Sequence, residues 1–197
     1  MMIKRQDKTQ NTQKITNRLS ERGIKIAGTC AAAVLLIALY SVIFSFSAQD
    51  GEESGGISQV VSKKCVETFN VVARRNWTDE VVQRAAESFE HPVRKLAHFS
   101  EYALMGILVH TVWVWWIRNR KRLCLVTILW VFISAAVDEF HQYFVPGRCA
   151  SPGDVLLDTC GGAFGLLLCV MAVNIWQRHR RKAVCTDGEV REKSCER

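Results

Sequence analysis

Residues 26–46 read IAGTCAAAVLLIALYSVIFSF and contain no charged side chain in 21 residues. A bilayer core of about 30 Å needs about 20 apolar residues in a helix to cross it. In lipid a helix satisfies its own backbone hydrogen bonds, so it is the default spanning element. The apolar region of a cleaved signal peptide is shorter, about 7–15 residues. The stretch therefore predicts a transmembrane helix rather than a removed leader.

Three further apolar stretches follow, at 96–117, 123–144 and 155–176. The first of these is interrupted only by His98, Glu101 and His110, and the last contains one charged residue, Asp158. Four such stretches predict an all-α polytopic membrane protein with four transmembrane helices. We therefore divide the chain into a basic arm (1–25), a membrane domain (26–176) and a tail (177–197).

The overall composition hides this pattern, because 49% hydrophobic and 23% charged residues are ordinary values for a soluble domain. The net charge of +7 is concentrated in the arm, in the turn RNRKR at 118–122 and in the tail. Basic residues beside spans stay in the cytoplasm. This predicts both termini in the cytoplasm and the loop 47–95 outside. Anionic lipid attracts such basic segments by about 1 kcal/mol per residue, so no nucleic-acid partner is required.

The long loop 47–95 has helical features of its own. Apolar residues from Ile57 to Val72 recur with helical spacing, and Thr78 before Asp79 is a helix start signal. Pro92 suits the first turn of the next helix. We expect one or two amphipathic helices in this extracytoplasmic loop, lying on the membrane surface or capping the bundle.

The eight cysteines form no CxxC pair and no zinc-type spacing. We predict no cofactor and no metal site, although metal chemistry at His98 and Glu101 is left open within the enzyme hypothesis below. Cys65 and Cys149 fall on the same exterior side, where a disulfide between them is left open.

Ionisable side chains within spans cost about 2.5–3.5 kcal/mol each to insert, which makes them functional-site candidates. In this chain, ionisable and other polar side chains cluster in and beside the outer ends of three spans: Arg94, His98, Glu101 and Tyr102; Asp138, Glu139, His141 and Gln142; Asp154 and Asp158. The predicted topology brings the three groups to one depth. An alternative is that they pair only with one another, for example Arg148 over Asp154, and lock the bundle. Gly161 and Gly165 form a small-xxx-small pair, which predicts close helix packing.

These motifs resemble the VanZ family. The stretches that carry the resemblance are FSFSAQDGEESGGIS at 44–58, VRKLAHFSEYALMG at 93–106 and DEFHQYFVPGRCASPGDVLLDTCGGAFG at 138–165. The motif positions are Arg94, Lys95, His98, Glu101, Tyr102, Asp138, Glu139, Gln142, Arg148, Asp154 and Asp158, with a looser match at His141. Asp158 stands where the family often has Asn, and the loop 47–95 is long for the family. The resemblance implies a multi-pass protein of the bacterial cytoplasmic membrane, associated with reduced teicoplanin susceptibility. It supplies no established reaction.

Three functions remain open from the sequence. In the first, an outward polar pocket of a non-enzymatic cell-envelope factor binds a lipid-linked cell-wall precursor or a lipidated glycopeptide. Its binding residues would be Arg94, Lys95, Tyr102, Gln142, Arg148 and Asp154, with arginines suited to phosphate. The second is an intramembrane enzyme that uses His98, Glu101, Asp138, Glu139, His141 and Asp158, although the chain has no GxSxG or HExxH motif. The third is a proton-coupled transporter. Oligomerisation is left open.

Overall fold

The computed structural model describes residues 2–48, 51–148 and 150–195, and over these residues the chain is all-helical, without strands. The five helices are α1 (Met2–Ser47), α2 (Gly51–Val72), α3 (Asp79–Trp113), α4 (Arg120–Gln142) and α5 (Pro152–Cys195). Three stretches are long and apolar enough to cross a membrane: Ser20–Ser47, Arg120–Gln142 and Pro152–His179. The chain is therefore a helical membrane protein. Three of the four predicted spans, 26–46, 123–144 and 155–176, overlap these stretches.

The remaining predicted span, 96–117, is not among the three. It lies in α3, whose apolar run contains His98, Glu101 and His110, and these side chains lower its mean hydropathy. The helix also ends at Trp113, so the last residues of the predicted span lie in a turn and in the loop before α4.

α1 and α4 run side by side in the same direction. The hydroxyl of Tyr40 is hydrogen-bonded to that of Ser134, and further along both helices the rings of Phe44 and His141 lie 4.8 Å apart. At the end of α1, Arg148 from the α4–α5 turn donates a hydrogen bond to the carbonyl of Phe46 at 2.7 Å. We call this the Arg148 end of the bundle.

α3 and α5 are also parallel to each other, and both run away from the Arg148 end. Lys95 contacts Asp154 there, with Nζ 3.0 Å from Oδ1. At the opposite end, Nζ of Lys25 lies 5.6 Å from the ring of Trp115, just beyond α3. The apolar part of α3 thus extends between the same two ends as the three apolar stretches.

The core lies where α1, α3 and α4 meet, and its buried residues are Leu36, Leu39, Ile43, Tyr102, Met105, Leu108, Val109, Val131 and Ala135. Many large apolar side chains on the same helices are instead exposed, among them Ile37, Leu125 and Ile133. A large exposed apolar surface indicates contact with lipid in a protein that spans a membrane.

The contact between α3 and α5 depends on glycine. A Cβ atom added at Gly161 or Gly165 would overlap the backbone carbonyl of Phe99 or Ala103 on α3. Gly106 on α3 similarly faces the backbone of α5. We call Gly106, Gly161 and Gly165 the glycine seam. As predicted for the Gly161 and Gly165 pair, the absence of side chains lets two helix backbones approach closely.

The segment 47–95 contains α2 and the first turns of α3, and the two helices pack together through Val66, Val82 and Ala86. The predicted helix start is confirmed, since α3 begins at Asp79 after Thr78. The interpretation of Pro92 was wrong, because α3 continues through it. Proline costs one backbone hydrogen bond within a helix, but packing holds α3 on both sides of this position, against α2 before it and in the core after it.

Candidate functional site

A polar cavity of about 150 Å³ opens at the Arg148 end, between α3, α4, α5 and the α4–α5 turn. Its lining residues are His91, Arg94, Lys95, His98, Glu139, Gln142, Gly147, Arg148, Asp154, Leu157 and Asp158. We refer to it as the polar cavity. Residues from distant parts of the sequence therefore share one concave site, as the predicted topology required.

Most of the site residues predicted from the sequence lie in this cavity: Arg94, Lys95, His98, Glu139, Gln142, Arg148, Asp154 and Asp158. Three others, Tyr102, Asp138 and His141, line a neighbouring apolar groove of about 510 Å³ between α1 and α4, the α1–α4 groove. Glu101 is half-buried and lines neither the cavity nor this groove. The structure thus separates the predicted set into a polar and a largely apolar compartment.

Three cations at the cavity each have a partner. Lys95 is paired with Asp154, Arg148 binds the Phe46 carbonyl, and Nη2 of Arg94 donates to Glu90 at 2.7 Å. Burial lowers the pKa of Arg148, and the nearby guanidinium of Arg94 lowers it further. Two guanidinium groups this close repel each other, and an anion between them relieves that repulsion.

Two carboxylates near the end of α4, one in the cavity wall and one beside it, accept hydrogen bonds. Oε2 of Glu139 accepts a hydrogen bond from the backbone N–H of Ser151 at 2.9 Å, which ties the end of α4 to the start of α5. Oδ2 of Asp138 accepts one from Nε2 of Gln142 at 3.0 Å. The intervening turn requires glycine at 147, where φ is 74°. Asp138 lines the α1–α4 groove and Gln142 lines the polar cavity, so their hydrogen bond links the two spaces.

Asp158 differs from the other carboxylates of the cavity. Only 1% of the residue is exposed, and neither carboxylate oxygen has a hydrogen-bond partner among the residues that the structure describes. Nδ1 of His98, which lines the same cavity, is also buried without such a partner. A buried polar group left without a partner costs free energy, so both groups would be stabilised by hydrogen bonds to a ligand in the cavity.

An apolar groove of about 690 Å³ lies between α4 and α5, the α4–α5 groove. Its aromatic and aliphatic lining includes Phe140, Tyr143 and Leu156. It also includes Glu139, which lines the polar cavity as well. The polar cavity and the apolar α4–α5 groove therefore share Glu139 in their walls.

Over the described part of the chain, no three His, Cys, Asp or Glu side chains are grouped so that they could hold a metal ion. Cys65 is a free thiol, and its suggested disulfide partner Cys149 lies outside the described residues.

Sequence reasoning missed His91 as a lining residue. Its spacing to Arg94, Lys95 and His98 places it on the same helical face, but we had expected a new helix to begin at Pro92. Had α3 been taken as continuous, the spacing would have included His91.

The comparisons with known proteins agree with the resemblance in the sequence. A family model described as VanZ/LLP1 matches residues 32–174. No curated protein and no solved structure matches the chain. The matched range contains every residue that lines the polar cavity and all of the glycine seam.

Proposed function

The chain belongs to the VanZ/LLP1 family, and we propose that it is a bacterial cytoplasmic-membrane protein that binds a lipid-linked envelope component. The ligand would be a lipid-linked cell-wall precursor or a lipidated glycopeptide, and its phosphate or other anionic headgroup would occupy the polar cavity. The single observation that carries this proposal is the position of that cavity, with three cations in its wall and an apolar groove beside it.

The proposal includes a topology of four spans with both termini in the cytoplasm. In its support, the apolar part of α3 extends between the same two ends of the bundle as the three apolar stretches. The basic turn at 118–122 lies at the end opposite Arg148, which by the positive-inside rule faces the cytoplasm. A reporter active only in the cytoplasm, fused after residue 197, should be active, and a reporter fused in the α4–α5 turn should be silent.

The charged groups suit an anionic headgroup. Arg94 and Lys95 lie on α3 and Arg148 on the turn across the cavity, so an occupant is approached from two sides. Guanidinium groups bind phosphate oxygens through two parallel hydrogen bonds. In the structure, Nη2 of Arg94 donates to Glu90 and Nη2 of Arg148 donates to the carbonyl of Phe46.

The apolar part of such a ligand has a surface to follow. The α4–α5 groove meets the polar cavity at Glu139 and is lined by side chains that are exposed on the outside of the bundle, including Phe140 and Tyr143. A headgroup in the cavity with its chain in the groove would bury both parts of an amphipathic molecule.

The test replaces Arg148 with alanine in purified protein in detergent micelles. Arg148→Ala should weaken binding of a labelled lipid phosphate by about tenfold or more, because it removes a charge-assisted hydrogen bond. Arg84→Ala is the matched control, since Arg84 is 76% exposed on the same helix as Arg94 and lies outside the cavity. Equal binding by wild type and both variants would refute the proposal. In cells lacking the protein, wild type and Arg84→Ala should lower teicoplanin susceptibility while Arg148→Ala should not.

Asp158 and His98 favour a second candidate function, an intramembrane enzyme acting on a lipid-linked substrate. A buried carboxylate without a partner beside an unpartnered imidazole is an arrangement suited to acid–base chemistry. The same binding assay separates the two functions if the lipid is recovered and weighed by mass spectrometry. A binding protein returns the lipid unchanged, whereas an enzyme returns a product whose formation requires Asp158.

A further inference from the structure

The charge of the headgroup that fits the polar cavity depends on its carboxylates, including Asp158, as well as on its cations. The cavity wall contains three cations, Arg94, Lys95 and Arg148, and three carboxylates, Glu139, Asp154 and Asp158. With all six groups charged the wall is neutral overall, and such a wall is a poor site for a ligand with several negative charges, because that ligand would place uncompensated charge beside buried carboxylates.

Asp158 differs from Asp154, which is paired with a cation of the cavity. Asp154 neutralises Lys95 at the Arg148 end, with Nζ and Oδ1 3.0 Å apart. Asp158 follows Asp154 by one turn of α5, about 6 Å along the helix axis. Its two oxygens have no hydrogen-bond partner among the described residues. The cavity thus presents three cations together with one carboxylate that has no such partner.

A positively charged donor beside Asp158 favours the ionised form of its carboxyl group, which accepts hydrogen bonds and donates none. Such a donor also offsets the cost of burying the carboxylate, so it is the group that best completes Asp158. A divalent metal ion is a weaker candidate, because the described residues contain no set of three ligands for one.

We propose that the polar cavity binds a zwitterionic aminoalkyl phosphate headgroup, with its phosphate at Arg94 and Arg148 and its primary ammonium at Asp158. This inference rests on the proposed binding of an anionic lipid headgroup in the cavity, and it extends the ligand class to a membrane phospholipid. The headgroup carries one negative and one positive group, so it leaves the cavity neutral. A quaternary ammonium has no N–H to donate, and a glycerol headgroup has no positive charge.

The test measures binding of three lipids with the same acyl chains to the purified full chain in micelles, without added divalent cations. Wild type should bind phosphatidylethanolamine about tenfold more tightly than phosphatidylcholine or phosphatidylglycerol. Asp158→Asn should reduce this preference to about twofold or less while retaining phosphate-dependent binding. Asp79→Asn, at an exposed carboxylate at the start of α3, should keep the full preference.

Soluble phosphoethanolamine distinguishes a free headgroup from a lipid. If it competes and phosphocholine does not, the headgroup alone is recognised; if neither competes while phosphatidylethanolamine is still preferred, the bound species is the membrane lipid. Both outcomes retain the aminoalkyl phosphate.

Equal affinity of wild type for phosphatidylethanolamine and phosphatidylcholine would overturn the inference, even if Asp158→Asn cannot be purified in folded form. So would a preference that survives in folded Asp158→Asn, or one that disappears on adding a chelator. In each of these cases, phosphate-dependent binding that is lost in Arg148→Ala would leave the proposed function standing. Absence of any phospholipid binding would overturn the inference, whereas the proposed function is removed only if the labelled lipid phosphate of the earlier assay also fails to bind.

Discussion

The contact between α3 and α5 has two parts with opposite character. Near the Arg148 end, the helices are separated by a cavity of about 150 Å³ lined mostly by charged and polar side chains. Buried atoms of Arg94, His98 and Asp158 there have no hydrogen-bond partner among the described residues. At the glycine seam, the same helices approach so closely that there is no room for a single Cβ atom. The difference shows that the two parts have separate roles. Because the seam fixes the distance between the helices, the cavity residues do not have to pair with one another to hold them together.

The strongest test of this comparison is to place a side chain in the seam. Gly165→Leu would overlap the backbone of Ala103, and forced overpacking costs about 1–3 kcal/mol or more. We expect loss of most folded protein, measured as the fraction that elutes as a single species in mild detergent and as the unfolding midpoint.

The control is Gly28→Leu in α1, where an added Cβ has no atom within 4 Å. It should leave both measurements close to wild type. If Gly165→Leu behaves in the same way as Gly28→Leu, the seam does not hold α3 and α5 together, and the separate roles inferred for the seam and the cavity are wrong.

A substitution in the cavity is expected to change the free energy of unfolding by a smaller amount and in the opposite direction. Asp158→Leu removes a buried carboxylate without a partner, so it should stabilise the ligand-free protein by about 1–3 kcal/mol. The reversible unfolding free energy in mixed micelles measures this. Asp154→Leu is the comparison, since it removes the partner of a partly exposed lysine and should destabilise by about 1 kcal/mol or less. A larger loss in Asp158→Leu than in Asp154→Leu would mean that Asp158 has a structural role.

The arrangement of the site could be predicted in part from helical spacing and topology. Arg94 with His98, and Asp154 with Asp158, are each one turn apart, and alternating helix directions bring their ends together. These inferences needed only the period of the helix and the assignment of the apolar stretches. The same information predicted an all-helical membrane protein, which the structure shows.

The position where the cavity ends could not be predicted in this way. Glu101 lies on nearly the same face of α3 as Arg94, two turns further along. It does not line the cavity, because α3 and α5 come together at Phe99 and Gly161, before the level of Glu101 is reached. Helical spacing specifies the face on which a residue lies, whereas the separation of two helices depends on which side chains meet across them. His91 was missed for a related reason, since the local effect of Pro92 was overcome by packing on both sides of it.

The glycine seam also has a consequence for motion. Where backbone lies against backbone there are no rotamers to exchange, so the adjoining parts of α3 and α5 move as one body. A rearrangement that admits or releases a ligand would then occur in the opposite wall of the cavity, at the α4–α5 turn. That turn contains Gly147, and its connections to the bundle include the hydrogen bonds of Glu139 to Ser151 and of Arg148 to Phe46. Exchange of the occupant would therefore proceed at the rate at which this turn opens.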